Sequence, residues 1–173
     1  MIIREAKRED LLSIANVQID SNRSTYKGNM PDDYLNNLSP DQKAKEWEER
    51  LFINSNKELM YVAETSDGNI VAFASASLGR ADDVFEREIN SIYILKAFQR
   101  QGIGYLLIKA IISNFIEESV QSLIIWVLSE NPARSFYEHL GGTIVGKRMI
   151  RRGDKELQQF AYGWHDISSI MKC

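Results

Sequence analysis

Cysteine is almost absent from this chain. Cys173, the last residue, is the only one, which leaves no disulfide framework and no cysteine metal cluster. Histidine is nearly as scarce. His139 and His165 are too few for a histidine-rich metal site, and both read as structural or surface residues rather than ligands. Proline occurs three times, and none of the three marks a linker. There is no excess of basic charge. Lys and Arg total 21 against 24 Asp and Glu, for a net charge of -3 and a pI near 5.5, which argues against a general nucleic-acid binder with its basic surface. No apolar run approaches membrane-spanning length. The opening "MIIREAKRED" turns charged at once and has no signal-peptide apolar region. The expectation is a cytoplasmic protein with neither membrane nor nucleic acid as partner.

What is present is ordinary for a globular protein. Hydrophobic residues make up 44% and charged residues 26% of 173 residues. That length suits one domain, 1–173, with a real core, and no repeat or low-complexity segment divides it. "MIIREA" reads as a strand. "REDLLSIANVQIDSNRSTY" follows as a helix with Leu12, Ala15 and Ile19 at helical spacing, poorly capped because Lys7 stands where Ser, Thr or Asp is expected. "MPDDYLNN" suggests a short helix with Pro31 in its first turn. "SPDQKAKEWEERLFI" has Ser39 as cap, Pro40 at the first helical position, Gln42 completing a capping box, and a stripe of Ala44, Trp47 and Leu51.

The period then changes to two. "ELMYVAET" and "NIVAFASASL" are strand-like runs joined by a hairpin signal at Asp67-Gly68, and "REINSIYIL" is a third strand. A helix from about residue 103 to 118 has Leu106, Leu107, Ala110, Ile111 and Phe115 on its apolar face. "SLIIWVL" has the continuous apolar character of a strand covered on both faces, with Trp126 in its core. "NPARSFYEHL" reads as a short helix with Asn131 as cap, Pro132 at its first position and Gly141 after its end. Two strands joined at Gly153-Asp154 close the chain. The pattern predicts a mixed α/β domain: early helices, an antiparallel meander, one strand-helix-strand crossover and a final hairpin.

The crossover contains "QRQGIG", residues 99 to 104. A strand that ends in glycines and enters a helix makes an anion site, because the helix N-terminus offers unpaired N–H groups and the positive end of its dipole. Gly102 and Gly104 remove side chains that would keep a phosphate away, although the two by themselves also fit a plain turn. A triphosphate P-loop needs Gly-Lys-Ser/Thr, but Tyr105-Leu106 follows Gly104. A dinucleotide fingerprint needs a third glycine where Leu107 stands, and its unit normally starts the fold. Coenzyme A, whose pyrophosphate requires neither lysine nor Mg²⁺, is the third phosphate ligand to weigh.

The string "INSIYILKAFQRQGIGYLLIKAI" resembles the signature of the GNAT superfamily of acyl-CoA-dependent N-acyltransferases, whose loop reads Gln/Arg-x-x-Gly-x-Gly/Ala. Gln99, Gly102 and Gly104 match it. "SENPARSFYEHLGG" is similar to a later segment of the same family through Asn131, Arg134, Ser135, Phe136 and Tyr137, and the element order agrees from residue 2 to about 166. Ala97 departs from the pattern, since many relatives have proline before the loop. The resemblance implies an α+β fold: a mixed, mostly antiparallel central sheet, split at the acyl-CoA site and flanked by helices.

The same resemblance implies transfer of an acetyl group from acetyl-CoA to an amine, with no metal. An alkylamine of pKa about 10.4 must lose a proton, the thioester carbonyl must be polarised, and a thiolate of pKa near 8.5 must leave. Implied for the donor are Ile92, Tyr93 and Ile94 along the pantetheine arm, N–H groups of Arg100, Gln101, Gly102, Ile103, Gly104 and Tyr105 on the pyrophosphate, and Gln99 and Asn131 as further contacts. Tyr137 would donate a proton to the sulfur; a merely packed tyrosine is the alternative. Glu88 is the expected base and an acceptor contact, placed by even spacing on one face with Ile92 and Ile94; an exposed carboxylate is the alternative, and Ser129 a second base. Tyr26 and Lys27 are acceptor-site candidates. Asp82, Asp83, Glu86 and Glu88 form either an acidic rim that attracts a cationic amine or a solvated loop. A non-catalytic acyl-CoA sensor on the same fold is the competing function, a nucleotide-binding module a weaker one, and a homodimer is left open.

Overall fold

The computed structural model describes residues 1–28, 31–54 and 58–173, with the backbone alone at Tyr34; Met30 of the expected second helix lies outside them. Strand β1 (Ile2–Glu5) leads through a 3-10 turn (Arg8–Asp10) into helix α1 (Leu11–Tyr26). Helices α2 (Asp32–Asn36) and α3 (Pro40–Glu48) follow, and α3 continues as a π-helical turn, Glu49–Ile53. Strands β2 (Glu58–Glu64), β3 (Ile70–Ser77) and β4 (Arg87–Ile94) come next. Helix α4 (Ile103–Glu117), strand β5 (Leu123–Leu128) and helix α5 (Arg134–His139) precede the hairpin of β6 (Thr143–Arg152) and β7 (Lys155–Trp164).

The strands form one sheet in the order β1-β2-β3-β4-β5-β7-β6. Every pairing is antiparallel except β4 with β5, the two strands that the α4 crossover joins. The expected mixed, mostly antiparallel sheet flanked by helices is what the chain builds. Its two faces are covered separately. On one, Leu107, Ile108, Ile111, Ile112 and Phe115 of α4 pack on Ala72, Ala74, Ala76 and Ile89. On the other, Ile14 and Val17 of α1 and Trp47 of α3 pack on Val62 and Phe73. This double cover makes β3 buried through Ala76 rather than alternating.

The helix stripes differ from the expected ones by single residue positions. In α1 the buried residues include Leu11, Ile14, Ala15 and Ile19, while Leu12 is 51% exposed. In α4 Leu106 is 43% exposed and Ile108 and Ile112 take the interior places. Periodicity identifies the helices but does not say which of two adjacent leucines meets the sheet. The weak start at Lys7 is repaired from within. Asp10 accepts from the Lys7 N–H at 2.8 Å and from the Arg4 guanidinium at 2.7 and 3.0 Å. Ser39 caps α3 by accepting from the Gln42 N–H, one half of the expected box. Pro31 stands just before α2, not inside its first turn.

One irregularity bears on the site. Ser75 pairs with Ser91 but Ala76 pairs with Ile89, so Asn90 is an extra residue in β4. Such a bulge reverses the side-chain alternation on its two sides. Ile89, Ile92 and Ile94 all face the α4 side, while Tyr93 packs on the α1 side. Glu88 therefore does not share a face with Ile92 and Ile94. The even-spacing expectation fails, and Glu88 lies on the α1 side with Ser91 and Tyr93.

Candidate active site

The parallel pairing of β4 with β5 runs only through Arg87, Glu88 and Ile89 opposite Leu123, Ile124 and Ile125. Beyond Ile89 the strands part, and that side of β4 has no strand partner among the described residues. Two cavities lie at this split. One, of about 390 Å³, is lined by Ile92, Tyr93, Ile94, Gln99, Arg100 and Gly102 to Tyr105 on one wall. Ser21, Thr25 and Tyr26 of α1 and residues 131–133 and 135–137 complete it. The other, of about 270 Å³, opens between Gln18, Asn22 and Tyr26 of α1, Lys43 of α3, Asn90 to Tyr93, Ile125 to Leu128 and the hairpin residues Ile150, Arg152 and Gln159. Tyr26, Ile92, Tyr93, Asn131 and Tyr137 line both, so the cavities meet there.

The first cavity ends on the glycine loop. Gly102 has φ +80°, a left-handed conformation that glycine adopts without penalty. It leads straight into α4, whose first backbone bond runs from the Leu106 N–H to the Gly102 carbonyl. The N–H groups from Arg100 to Tyr105 find no acceptor among the described residues. A run of such donors at the positive end of a fifteen-residue helix suits the pyrophosphate of a nucleotide-like ligand. Gly104 serves a different purpose: a Cβ there would stand 3.3 Å from Ile94 Cδ1 and 3.4 Å from Phe136 Cζ. Gln99 donates to the Ile94 carbonyl at 3.0 Å and so ties the loop to the strand end. Gln101 donates to the Ala97 carbonyl and does not line the cavity.

The junction is a group of phenols. Tyr137 is 5% exposed and packs against Phe136 and Tyr162 with ring centroids 5.5 and 5.9 Å apart. Burial, reinforced by Tyr26 and Tyr93, pushes its phenol well above the ordinary value, so it is held protonated and able to donate. Tyr26 accepts from Asn131 Nδ2 at 2.9 Å, and burial pushes its phenol up to about 12. Asn131 Oδ1 in turn accepts from the Ala133 N–H at 2.9 Å. Asn131 thus ties the end of α1 to the turn before α5. That helix begins at Arg134, later than the expected cap and Pro132 would start it.

Several expected residues stand elsewhere. Glu88 lines neither cavity. It is half-buried, and its carboxyl is raised by burial, with Arg148 opposing and Asp82 and Glu58 adding to the rise. Ser129 and Lys27 also lie outside both cavities. The acidic residues hold their own loop: Asp82 accepts from the Val84 and Phe85 N–H groups at 2.7 and 2.6 Å, and Glu86 accepts from the Gln121 N–H at 3.1 Å. No carboxylate lines either cavity among the described residues. Trp126, expected in the core, is half-buried, lines the second cavity and carries the Arg148 guanidinium 4.1 Å from its ring centroid. His139 and His165 are exposed; His165 stacks on Phe85 at 5.1 Å. Sequence reasoning missed Ser21, Thr25, Asn22, Gln18, Lys43 and Arg152, which come from helices and a hairpin without any motif. Among the described residues no group of His, Cys, Asp and Glu is arranged to hold a metal ion. No helix there is long and apolar enough to cross a membrane.

Comparison with known proteins agrees with this architecture. The model of the acetyltransferase (GNAT) family matches residues 21–142. The uncharacterized N-acetyltransferase YuaI of Bacillus subtilis (strain 168) is 31% identical over 169 residues, which are 97% of this chain and 95% of that one. Two solved structures share the fold at lower identity. The PaiA N-acetyltransferase from Thermoplasma acidophilum, in complex with coenzyme A, superposes with a TM-score of 0.72 at 18% identity and covers 95% of this chain and 98% of its own. The yncA protein from Salmonella typhimurium, with its cofactor acetyl-CoA, gives 0.70 at 19% identity over 96% and 94%.

Proposed function

The chain belongs to the acetyltransferase (GNAT) family and is an acyltransferase, and we propose that it moves an acetyl group from acetyl-CoA to the primary amine of an acceptor, as one domain spanning 1–173 in the cytoplasm. One observation carries this reading: two cavities meet at the split of the sheet on Tyr137, and one of them ends on the glycine loop, where the N–H groups from Arg100 to Tyr105 find no acceptor among the described residues.

The residues fit such a donor. N–H groups from Arg100 to Tyr105 hold its pyrophosphate, with Gly102 and Gly104 keeping the approach clear. Gln101 contributes its N–H alone, because its side chain is turned back to Ala97. Ile92, Tyr93 and Ile94 line the arm and aim the acyl carbon at the second cavity. Bound acetyl-CoA supplies an activated thioester. The chain's own groups then manage protons and charge. Tyr137 gives its proton to the departing sulfur and Asn131 fixes Tyr26 beside it. The amine enters the second cavity uncharged. Glu88, on the same side of the sheet but outside that cavity, takes its proton through solvent; its raised carboxyl makes it a better proton acceptor near neutral pH than an ordinary glutamate.

Acetyl-CoA should raise the melting temperature, and ATP with Mg²⁺ should not. Thiol should appear when acetyl-CoA is mixed with an accepted amine. A shift with ATP alone would sink the donor assignment. An acetyl-CoA shift with no thiol release across a panel of small amines, polyamines and peptides would make the protein a sensor instead.

A further inference from the structure

The acceptor cavity carries charge of one sign. Lys43 and Arg152 line it, together with the amides of Gln18, Asn22, Asn90 and Gln159, and no described Asp or Glu does. The acidic residues that might have balanced them are spoken for or displaced: Asp82 and Glu86 bind backbone N–H groups, and Glu88 lies outside. Arg152, at the end of β6, has no carboxylate partner among the described residues. Among the described residues its guanidinium donates to the Arg151 carbonyl alone, at 3.1 Å. It stands near enough to Tyr26 for its charge to oppose the rise of that phenol. Lys43 is half-engaged, since it pairs at 2.8 Å with Glu46 on the exposed face of α3.

An arginine with no carboxylate partner among the described residues and a lysine only half-engaged, facing a half-enclosed cavity that no described carboxylate lines, are an arrangement that an anion improves and a polycation worsens. The planar guanidinium fits a carboxylate with two parallel hydrogen bonds. The volume, about 270 Å³, lies at or below the low end of the roughly 300–1,000 Å³ typical of ligand pockets. Resting on the acetyltransferase reading above, we infer that the acceptor is a small amine that also bears a carboxylate, as an α-amino acid does, and that Arg152, assisted by Lys43, is the group that selects it. The carboxylate docks on Arg152 while the amine points to the junction at Tyr137. A polyamine, which would put ammonium groups beside Arg152 and Lys43, is refused.

The test compares matched acceptors by thiol release from acetyl-CoA: L-amino acids, the same amino acids as primary carboxamides, and spermidine. Carboxylates should exceed their carboxamides in kcat/KM. Arg152→Met should shrink that ratio by about 10- to 100-fold, the scale of a lost charge-assisted pair. Reading the change in ratio between wild type and variant cancels the different basicities of the paired amines. Arg152→Lys should recover part of the ratio, and Lys43→Gln should lower it less than Arg152→Met. The acetyl-CoA melting shift, measured in each variant, reports that the fold and donor cleft survive. Should Arg152→Met fail to fold, Arg152→Lys and Lys43→Gln carry the comparison. Preference for carboxamides or spermidine, or an equal loss on both members of each pair, overturns the inference while leaving an N-acetyltransferase. Absence of both the melting shift and thiol release overturns the parent reading as well.

Discussion

Tyr137 does two jobs with one side chain. Its ring is core, packed between Phe136 and Tyr162, and the residue lines both cavities where they meet. Burial raises its phenol, which keeps the proton available at neutral pH. Tyr137→Phe should therefore leave packing and the acetyl-CoA melting shift intact, while kcat falls by about 10² to 10⁴, the range of general acid catalysis. Glu88→Gln should behave differently. Burial moves the Glu88 carboxyl upward, so the carboxylate that accepts a proton disappears at a higher pH than in an ordinary glutamate. With Glu88 as the proposed base, the wild-type rate should fall as pH drops through that raised value. The glutamine variant should be slowest relative to wild type above that point and below the amine's own pKa, and the gap should close as the amine deprotonates by itself. A pH–rate profile shared by wild type and variant would remove Glu88 as base; wild-type kcat in the phenylalanine variant would return Tyr137 to packing alone.

Among the elements, local signals were legible and contextual ones were not. The glycine loop announces itself because a left-handed turn into a helix needs glycine, and Gly102 at φ +80° is that turn. The order of strands and helices followed from periodicity and hairpin signals. What failed was orientation: Leu12 and Leu106 point outward because an apolar neighbour one position away meets the sheet. The bulge at Asn90 left no mark that period-two counting could detect, yet it moved Glu88 to the opposite face. The two loop glycines can be told apart. A Cβ at Gly102 would meet no atom within 4 Å among the described residues beyond its own chain neighbours, whereas one at Gly104 would press on Ile94 and Phe136. Gly102→Val should cost stability through its backbone conformation, about 1 to 2 kcal/mol, and abolish the acetyl-CoA melting shift because the N–H groups are re-aimed and shielded. A variant that folds and retains the full shift would show that the loop's N–H groups do not hold the phosphates.

For the molecule as a whole, the contrast between the two cavities explains what a sequence can carry. The cavity that ends on the glycine loop is largely made by two local segments, and both were readable. The second cavity draws on α1, α3, β4, β5, β6 and β7, from Gln18 to Gln159, and no spacing connects Lys43 with Arg152. The same long-range logic governs stability. Asp10 is 6% exposed and joins β1 to the start of α1 through paired hydrogen bonds from Arg4, which also reaches Glu64 on β2. The hydrogen bond from Arg4 is the main reason its carboxyl is lowered, against the opposing effect of burial, and the Lys7 N–H adds to it. A carboxyl lowered on folding stabilises the protein fully above its unfolded value, about 3.9, and the contribution disappears as pH falls through the lower folded value. Asp10→Asn should cost about 2 to 3 kcal/mol at pH 7, less than a fully buried broken pair because Arg4 keeps Glu64 and some solvent contact. That corresponds to a melting temperature lower by about 5 to 10 °C for a domain of this size. Melting curves of the two proteins should converge as pH is taken from 5 toward 2, since the wild-type carboxyl is then protonated too. A gap that stays constant across that range would mean that the charge on Asp10 contributes nothing and that its value lies in shape alone.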